Sequence, residues 1–260
     1  MNSIVAHHRH SAAILIVLVL GLVITGGLYV ALAPRSASAA PNNSQAVTAG
    51  HKLFLSNCAT CHGLKGAGGD GGPSLVGVGA AAVDFQVGTG RMPLANLGVQ
   101  GIRARKNRFN GNEISQLAAY VASLGTGPAI PPKDLTSGGG DITKGGELFR
   151  VNCAMCHNFA GSGGALTHGK FAPSLMDVSG QHIYEAMESG PQSMPTFNDS
   201  NLSPQNKKNI ISFLLNVKTE SSPGGWNMGN LGPVPEGLFA WTIGIGMLIS
   251  VVVWLGKKAA

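Results

Sequence analysis

Cys58-Ala-Thr-Cys61-His62 and Cys153-Ala-Met-Cys156-His157 are two copies of C-x-x-C-H, and together they use all four cysteines of the 260-residue chain. Two thiols one helical turn apart can each form a thioether to a haem vinyl group, and the adjacent histidine then meets the iron as proximal ligand. On this chemistry Cys58, Cys61, Cys153 and Cys156 attach two covalently bound haem c groups, with His62 and His157 on the irons. A four-cysteine zinc site would use the C-x-x-C pairs but not the histidine after each, and structural zinc pairs usually sit closer together in sequence. A thioredoxin-like motif belongs in a βαβ setting, which this sequence lacks. Structural disulfides suit an exported protein, yet they do not require the histidines.

The repetition reaches beyond the pentapeptides. Gly50-His-Lys-Leu53-Phe54 stands at the same offset before Cys58 as Gly145-Gly-Glu-Leu148-Phe149 before Cys153, and Asn57 matches Asn152. Downstream, Pro73-Ser74-Leu75 matches Pro173-Ser174-Leu175, and Arg91-Met92-Pro93 matches Ser193-Met194-Pro195. Each repeat closes on a helical pattern. Ile114, Leu117, Tyr120, Val121 and Leu124 form one apolar stripe, ended by Gly125; Ile210, Ile211, Leu214 and Leu215 form the other. Ser203 suits the N-cap and Pro204 the first helical position, where its missing N–H costs nothing. Gly-rich loops such as Gly66 to Gly72 and Gly161 to Gly164 lack the strand-to-helix setting of a phosphate-binding loop. The chain therefore holds two related haem modules. Each has only about 80 residues, below the size at which an apolar core alone comfortably holds a fold, so a buried porphyrin supplies the missing centre.

A sixth iron ligand must come from later in each repeat. Met92 and Met194 are the leading candidates, each the Met of a Met-Pro pair, 30 residues after His62 and 37 after His157. Proline keeps the residue before it extended, which suits a loop presenting a thioether. A lone methionine is more often a core gap-filler, but the matched position argues for ligation. Met155 lies inside the attachment motif and points wrongly, while Met176, Met187, His51, His168 and His182 are weaker because none has an equivalent in the other repeat. With six ligands supplied, neither iron offers a place for oxygen or peroxide, and one-electron transfer is the chemistry left. Loss of one methionine ligand would instead make a sensing or peroxidase haem.

Flanking segments locate the modules. Ala12 to Ala33 is a nearly uninterrupted apolar run of 22 residues after Arg9, long enough to span a bilayer. Ala37-Ser38-Ala39-Ala40 offers an A-x-A cleavage site, although the run exceeds an ordinary signal h-region; residues 1–35 are thus an anchor or a signal segment. Leu238 to Leu255 is an uncharged run of 18 residues bordered by Trp241 and Trp254 and followed by Lys257-Lys258, which reads as a transmembrane helix over 238–256 with a cytoplasmic basic tail. Residues 42–127 and 142–220 then form two domains on the extracytoplasmic side, separated by a linker over 128–141 and joined to the membrane by 221–237.

Charge is uneven. Residues 42–130 carry seven Lys/Arg against three Asp/Glu, while 131–222 carry seven against eight. Arg103-Ala-Arg105-Lys106-Asn-Arg108 concentrates the excess, as a solvated face, a docking surface for a partner or a haem-propionate contact. Nucleic acid is not an expected partner of an exported haem protein.

Two such modules between an N-terminal apolar segment and one C-terminal membrane helix resemble the dihaem cytochrome cc subunit of the actinobacterial cytochrome bc complex, the menaquinol–cytochrome c reductase. The motifs C-A-T-C-H, R-M-P, C-A-M-C-H and S-M-P are shared with many c-type cytochromes, so the order of segments is the more specific part. The resemblance implies a mainly α fold: two tandem class I cytochrome c-like domains with N-terminal and C-terminal transmembrane helices. It implies axial pairs His62/Met92 and His157/Met194. Implied partners are the cytochrome b subunit, the Rieske iron–sulfur subunit and an aa3-type cytochrome c oxidase. The chain would be an electron-transfer subunit of a quinol–cytochrome c oxidoreductase with no catalytic site of its own. A membrane-tethered dihaem shuttle for another dehydrogenase or oxidase would carry the same motifs.

Overall fold

The computed structural model describes residues 11–32, 44–96, 98–104, 106–220, 228 and 233–259. Arg105, the A-x-A segment at 37–40 and most of the segment 221–232 lie outside the described residues. The chain divides into two units, Met1–Ser38 and Ala39–Ala260. The first holds helix α1 (Ser11–Leu32), whose large apolar side chains from Leu15 to Leu28 are all exposed. Thr25 Oγ1 donates to Gly21 O at 2.7 Å, so its hydroxyl is satisfied within the helix.

The second unit is mainly helical. In chain order it contains α2 (Ser44–Asn57), α3 (Ala59–His62), α4 (Gly79–Gly88), α5 (Gly111–Ser123), α6 (Lys133–Thr136), α7 (Ile142–Asn152) and α8 (Ala154–His157). After α8 come β1 (Gly164–Ala165), β2 (Phe171–Ala172), α9 (Gly180–Ser189), α10 (Pro204–Thr219) and α11 (Pro233–Ala259). Local chemistry sets several of these starts. Asn110 and Glu113 form a reciprocal capping box on α5, and the Asp141 side chain accepts from Lys144 N on α7. Ser203 accepts from Asn206 N with Pro204 at the first position of α10, as the sequence predicts.

Each repeat is built on one helix crossing. α2 packs on α5 and α7 packs on α10, and both crossings are closed by a glycine at the matched position. A Cβ on Gly50 would lie 1.9 Å from Gln116 O, and one on Gly145 would lie 1.9 Å from Asn209 O. Backbone thus meets backbone, and only hydrogen fits between them. Around the first crossing Phe54, Ile114, Leu117 and Val121 are buried with Val83 and Val87 of α4; around the second, Phe149, Ile210, Ile211 and Leu214 are buried with Ile183 and Met187 of α9. Lys207 of α10, fully buried, pairs with Glu188 and with Asp199 at 2.8 Å and lies over the Tyr184 ring. It is a buried charge that its flanking polar sequence does not reveal.

The segment between the repeats is tied down on both sides. Pro128 O accepts from Ala81 N at 3.1 Å, Gly140 N donates to Ser212 Oγ at 2.8 Å, and Asp141 N donates to Asn209 Oδ1 at 3.0 Å. The two repeats also touch directly where α4 meets α9. Gln181 Nε2 donates there both to Asp84 Oδ2 at 2.9 Å and to Glu185 Oε1 at 3.0 Å, while His182 Nε2 stands 3.6 Å from Asp84 Oδ2. Glu185 is fully buried; burial and the Asp84 carboxylate beside it push its carboxyl up to about 9. Burial also acts to raise Asp84, but hydrogen bonds from His182, Glu185 and Gln181 and the His182 charge bring it below the ordinary aspartate value. Burial thus favours the neutral form of Glu185 beside an ionised Asp84 at the contact of the repeats.

α11 is 27 residues long, about 40 Å at 1.5 Å per residue, against about 30 Å of bilayer hydrocarbon. It presents Leu238, Trp241, Leu248, Val252 and Trp254 outward, and Lys258 Nζ lies 4.8 Å above the Trp254 ring. It is a candidate membrane helix by length and composition.

Gly50→Ala and Gly145→Ala should each destabilise the haem-loaded chain by about 3 kcal/mol, the upper end of overpacking costs, because the clash is with backbone. An unchanged Tm in either variant would show that the crossing can open. Glu185 yields a pH dependence with a definite sign: its carboxyl ionises near 4.5 when unfolded and near 9 when folded, so stability falls as pH rises between these values. Glu185→Gln should lose that slope, and a Tm–pH profile parallel to the wild type would contradict the buried proton.

Candidate haem sites

Both pentapeptides are placed by a buried phenylalanine four residues upstream. Cys58 N donates to Phe54 O and Cys153 N to Phe149 O, both at 2.8 Å, with the two rings 1% and 0% exposed. The chain kinks at each of these cysteines (φ −126° and −121°) and restarts as α3 and α8. Within the new turn His62 N donates to Cys58 O at 3.0 Å and His157 N to Cys153 O at 2.9 Å. Each motif's two cysteines and histidine are thereby fixed on one short turn.

The following loop orients the imidazoles. Gly68 N donates to His62 O (2.8 Å) and Leu75 N to Gly66 O (2.7 Å); Gly163 N donates to His157 O (2.9 Å) and Leu175 N to Gly161 O (2.7 Å). Gly68 and Gly163 both sit at φ +85°, where a Cβ would strike the Pro73–Ser74 and Ala172–Pro173 backbone within 2.6 Å. This turn brings the carbonyl of Pro73 to 2.8 Å from His62 Nδ1 and that of Pro173 to 3.0 Å from His157 Nδ1. A carbonyl only accepts, so Nδ1 carries the hydrogen and Nε2 presents its lone pair. Burial lowers the His157 pKa, with the Pro173 bond acting the other way, which favours the neutral ring that a metal needs.

The histidine-to-proline spacing is 11 residues in the first repeat and 16 in the second. The five extra residues are taken up by the β1–β2 hairpin, with Ala165 opposite Phe171, where the sequence suggests only a Gly-rich loop. The first repeat has a single Gly69–Gly72 bridge at the equivalent place.

Met92 and Met194 follow α4 and α9 respectively, half-buried, and each packs on the core of its own repeat, as do Cys58 and Cys153. In the second repeat Cys153, Cys156, His157 and Met194 all line one cavity of about 710 Å³, with mostly apolar walls that include Phe149 and Leu214. A volume of that class holds a bound cofactor, and the donors in it match a covalently attached haem: two thiols, an imidazole with Nε2 free, and a thioether. Burial and the neighbouring Cys156 push the Cys153 thiol up to about 12, and burial raises Cys58 too, so neither is poised as a redox thiolate. Cys58 and Cys153 belong to separate cores. Among the described residues the His/Cys/Asp/Glu cluster that converges is Asp84, His182 and Glu185, without a cysteine, which disfavours a shared zinc.

The weaker ligand candidates occupy other roles. Met155 is 92% exposed, Met187 is buried in the second core, and Met176 lies at that core's edge. His51 stacks on Tyr120 at 4.8 Å, His168 is exposed in the hairpin turn, and His182 faces both the cavity and Asp84. The sequence singles out Arg91 and the Arg103 cluster but not their place: Arg91, Gln100 and Arg103 belong to the first repeat yet stand in the wall of the second repeat's cavity. Arg91 Nη1 donates to Thr89 Oγ1 at 2.6 Å, and its guanidinium lies 4.8 Å over the Phe85 ring. Burial and the charge of Arg103 lower the Arg91 pKa.

The family described as cytochrome C oxidase, cbb3-type, subunit III matches the chain twice, over residues 45–121 and 140–214. A cytochrome bc1 complex cytochrome c subunit of Corynebacterium efficiens is 42% identical over 96% of this chain and 90% of the relative. Another with the same description, from Mycobacterium leprae, is 42% identical over 94% of this chain and 87% of its own length. The chain belongs to the family of cytochrome bc1 complex cytochrome c subunits. As a cytochrome c, it is an electron-transfer protein that carries haem c. A Cbb3-type cytochrome c oxidase subunit FixP of Sinorhizobium medicae is 32% identical over 51% of this chain and 45% of that protein.

Met92→Ala and Met194→Ala should each remove one low-spin His/Met signature from the reduced and oxidised spectra and leave the other. A spectrum unchanged by one substitution would strike that methionine from the ligand set.

Proposed function

We propose that this cytochrome c subunit is a dihaem electron relay of a membrane menaquinol–cytochrome c reductase. The observation that carries the reading is the duplication of the whole site: kinked turn, proline carbonyl on Nδ1 and half-buried methionine recur in both repeats. Residues 42–127 and 142–220 are tandem class I cytochrome c-like domains. Cys58, Cys61, Cys153 and Cys156 hold the two groups covalently, and His62 with Met92, and His157 with Met194, supply the axial ligands. Haem c so held supplies reversible one-electron exchange at an iron whose Met ligand raises the potential.

The protein's own part is to hold and insulate. Pro73 and Pro173 fix the imidazole tautomer, and the helix crossings keep the proximal turn rigid against the core. The mostly apolar walls of the second site would limit water around a bound haem, and His157 with Met194 on its iron would leave no ligand position for oxygen or peroxide. Quinol oxidation is assigned to the cytochrome b and Rieske subunits. Cytochrome b and Rieske subunits are the donor side and an aa3-type oxidase the acceptor, in line with relatives described as subunits of the bc1 complex. α11 spans the membrane with Lys257 and Lys258 on the cytoplasmic side, α1 is an anchor or a signal segment, and the domains lie outside the cytoplasm.

Isolation of the chain in mild detergent, followed by redox difference spectra, tests this assignment. Bands of b-, c- and a-type haem together are expected. A lone c-type signal would replace the reductase reading with a tethered dihaem shuttle.

A further inference from the structure

The cavity of the second repeat is not closed by that repeat alone. Thr89, Arg91, Gln100, Gly101 and Arg103 of the first repeat form part of its wall, and their placement is fixed from both sides. Gln100 Nε2 donates to Phe171 O at 2.8 Å while its Oε1 accepts from Phe171 N at 2.9 Å, so the side chain pairs with β2 as a strand residue would. Gly101 N donates to Gln192 Oε1 at 3.0 Å, two residues before Met194. Ala104 N donates to Gly90 O at 2.9 Å, which returns this segment to the residue preceding Arg91.

Two guanidinium groups are thereby brought into the wall of one mostly apolar cavity. The ion pairs among the described residues join Lys144 to Glu147, His182 to Asp84, and Lys207 to Glu188 and Asp199; neither arginine takes part. Asp177, the carboxylate in the cavity lining, acts on Lys218 instead. Like charges held together beside a low-dielectric space are unfavourable unless an anion joins them. A planar fork of N–H donors is the group best matched to a carboxylate. The group whose donors surround this cavity carries two carboxylates of its own, the haem propionates.

We propose that Arg91 and Arg103 of the first repeat bind a propionate of the haem held by Cys153, Cys156, His157 and Met194, so that the second site is completed across the contact between repeats. This rests on the dihaem reading above. It assigns part of the basic cluster to the cofactor and away from a docking partner. Cationic charge next to the iron favours the reduced, less positive state and raises the potential of that haem. Because Arg91 directly precedes Met92, one peptide bond joins the axial ligand of one site to the carboxylate clamp of the other.

Potentiometric titration of the haem-loaded full chain at several pH values tests the assignment, with the second haem identified as the component whose His/Met band disappears in Met194→Ala. Arg103→Gln should lower the midpoint of that component, and Arg91→Gln combined with Arg103→Gln should lower it further. Both should bring a new pH-dependent step into that component as the propionate loses its partners, while the other component stays in place. Arg103→Lys should keep most of the wild-type value. Midpoints and pH profiles that do not respond to the arginine substitutions, in a chain still showing two components, overturn the clamp and leave the dihaem reading standing. A wild type with a single c-type component overturns both.

Discussion

Backbone contact at a glycine is the constraint on which each repeat depends. With hydrogen at Gly50 and Gly145, α2 and α7 lie against the carbonyls of Gln116 and Asn209. That closeness buries Phe54 and Phe149, and the buried ring fixes the end of the helix from which the C-x-x-C-H turn starts. The turn fixes the histidine backbone, the next loop delivers a proline carbonyl to Nδ1, and the methionine after α4 or α9 packs on the same core. A side chain at either glycine would move the first member of this series, and every later distance would move with it.

The repeats are also built to stay together. Gln181 bridges Asp84 and Glu185 across α4 and α9, and Gln100 pairs with Phe171 in the hairpin. Two separate cores packed this way share a boundary that is polar and hydrogen-bonded. Buried polar contacts of this kind contribute geometry more than stability, since each carries a desolvation cost. For a relay, fixed geometry between the sites is the useful outcome. Tethering alone would only raise the effective concentration of one module near the other.

What the sequence shows of this arrangement is what is local. The pentapeptides, Ser203–Pro204 cap and apolar stripes are legible because the chemistry needs residues at short, fixed offsets, and the Met-Pro pairs because they recur in both repeats. The duplication adds weight to Met92 and Met194, and it matches Gly50 with Gly145, although only the structure shows that the two glycines mark helix crossings. Contacts between repeats leave no such trace. Gln100 and Phe171 are 71 residues apart with no period relating them, and the first repeat offers no counterpart for comparison. Glu185 and Lys207 look like surface charges in an amphipathic helix, yet both are fully buried because neighbouring elements cover that face. The hairpin at 164–172 is hidden by glycines that read equally well as loop.

The central claim is that the duplicated sites each hold one covalently attached haem, and the intact mass of the purified chain tests it most directly. The account predicts a polypeptide heavier by two haem groups, falling to one when Cys58 and Cys61, or Cys153 and Cys156, are replaced by Ala. A wild-type chain carrying one haem or none would contradict it.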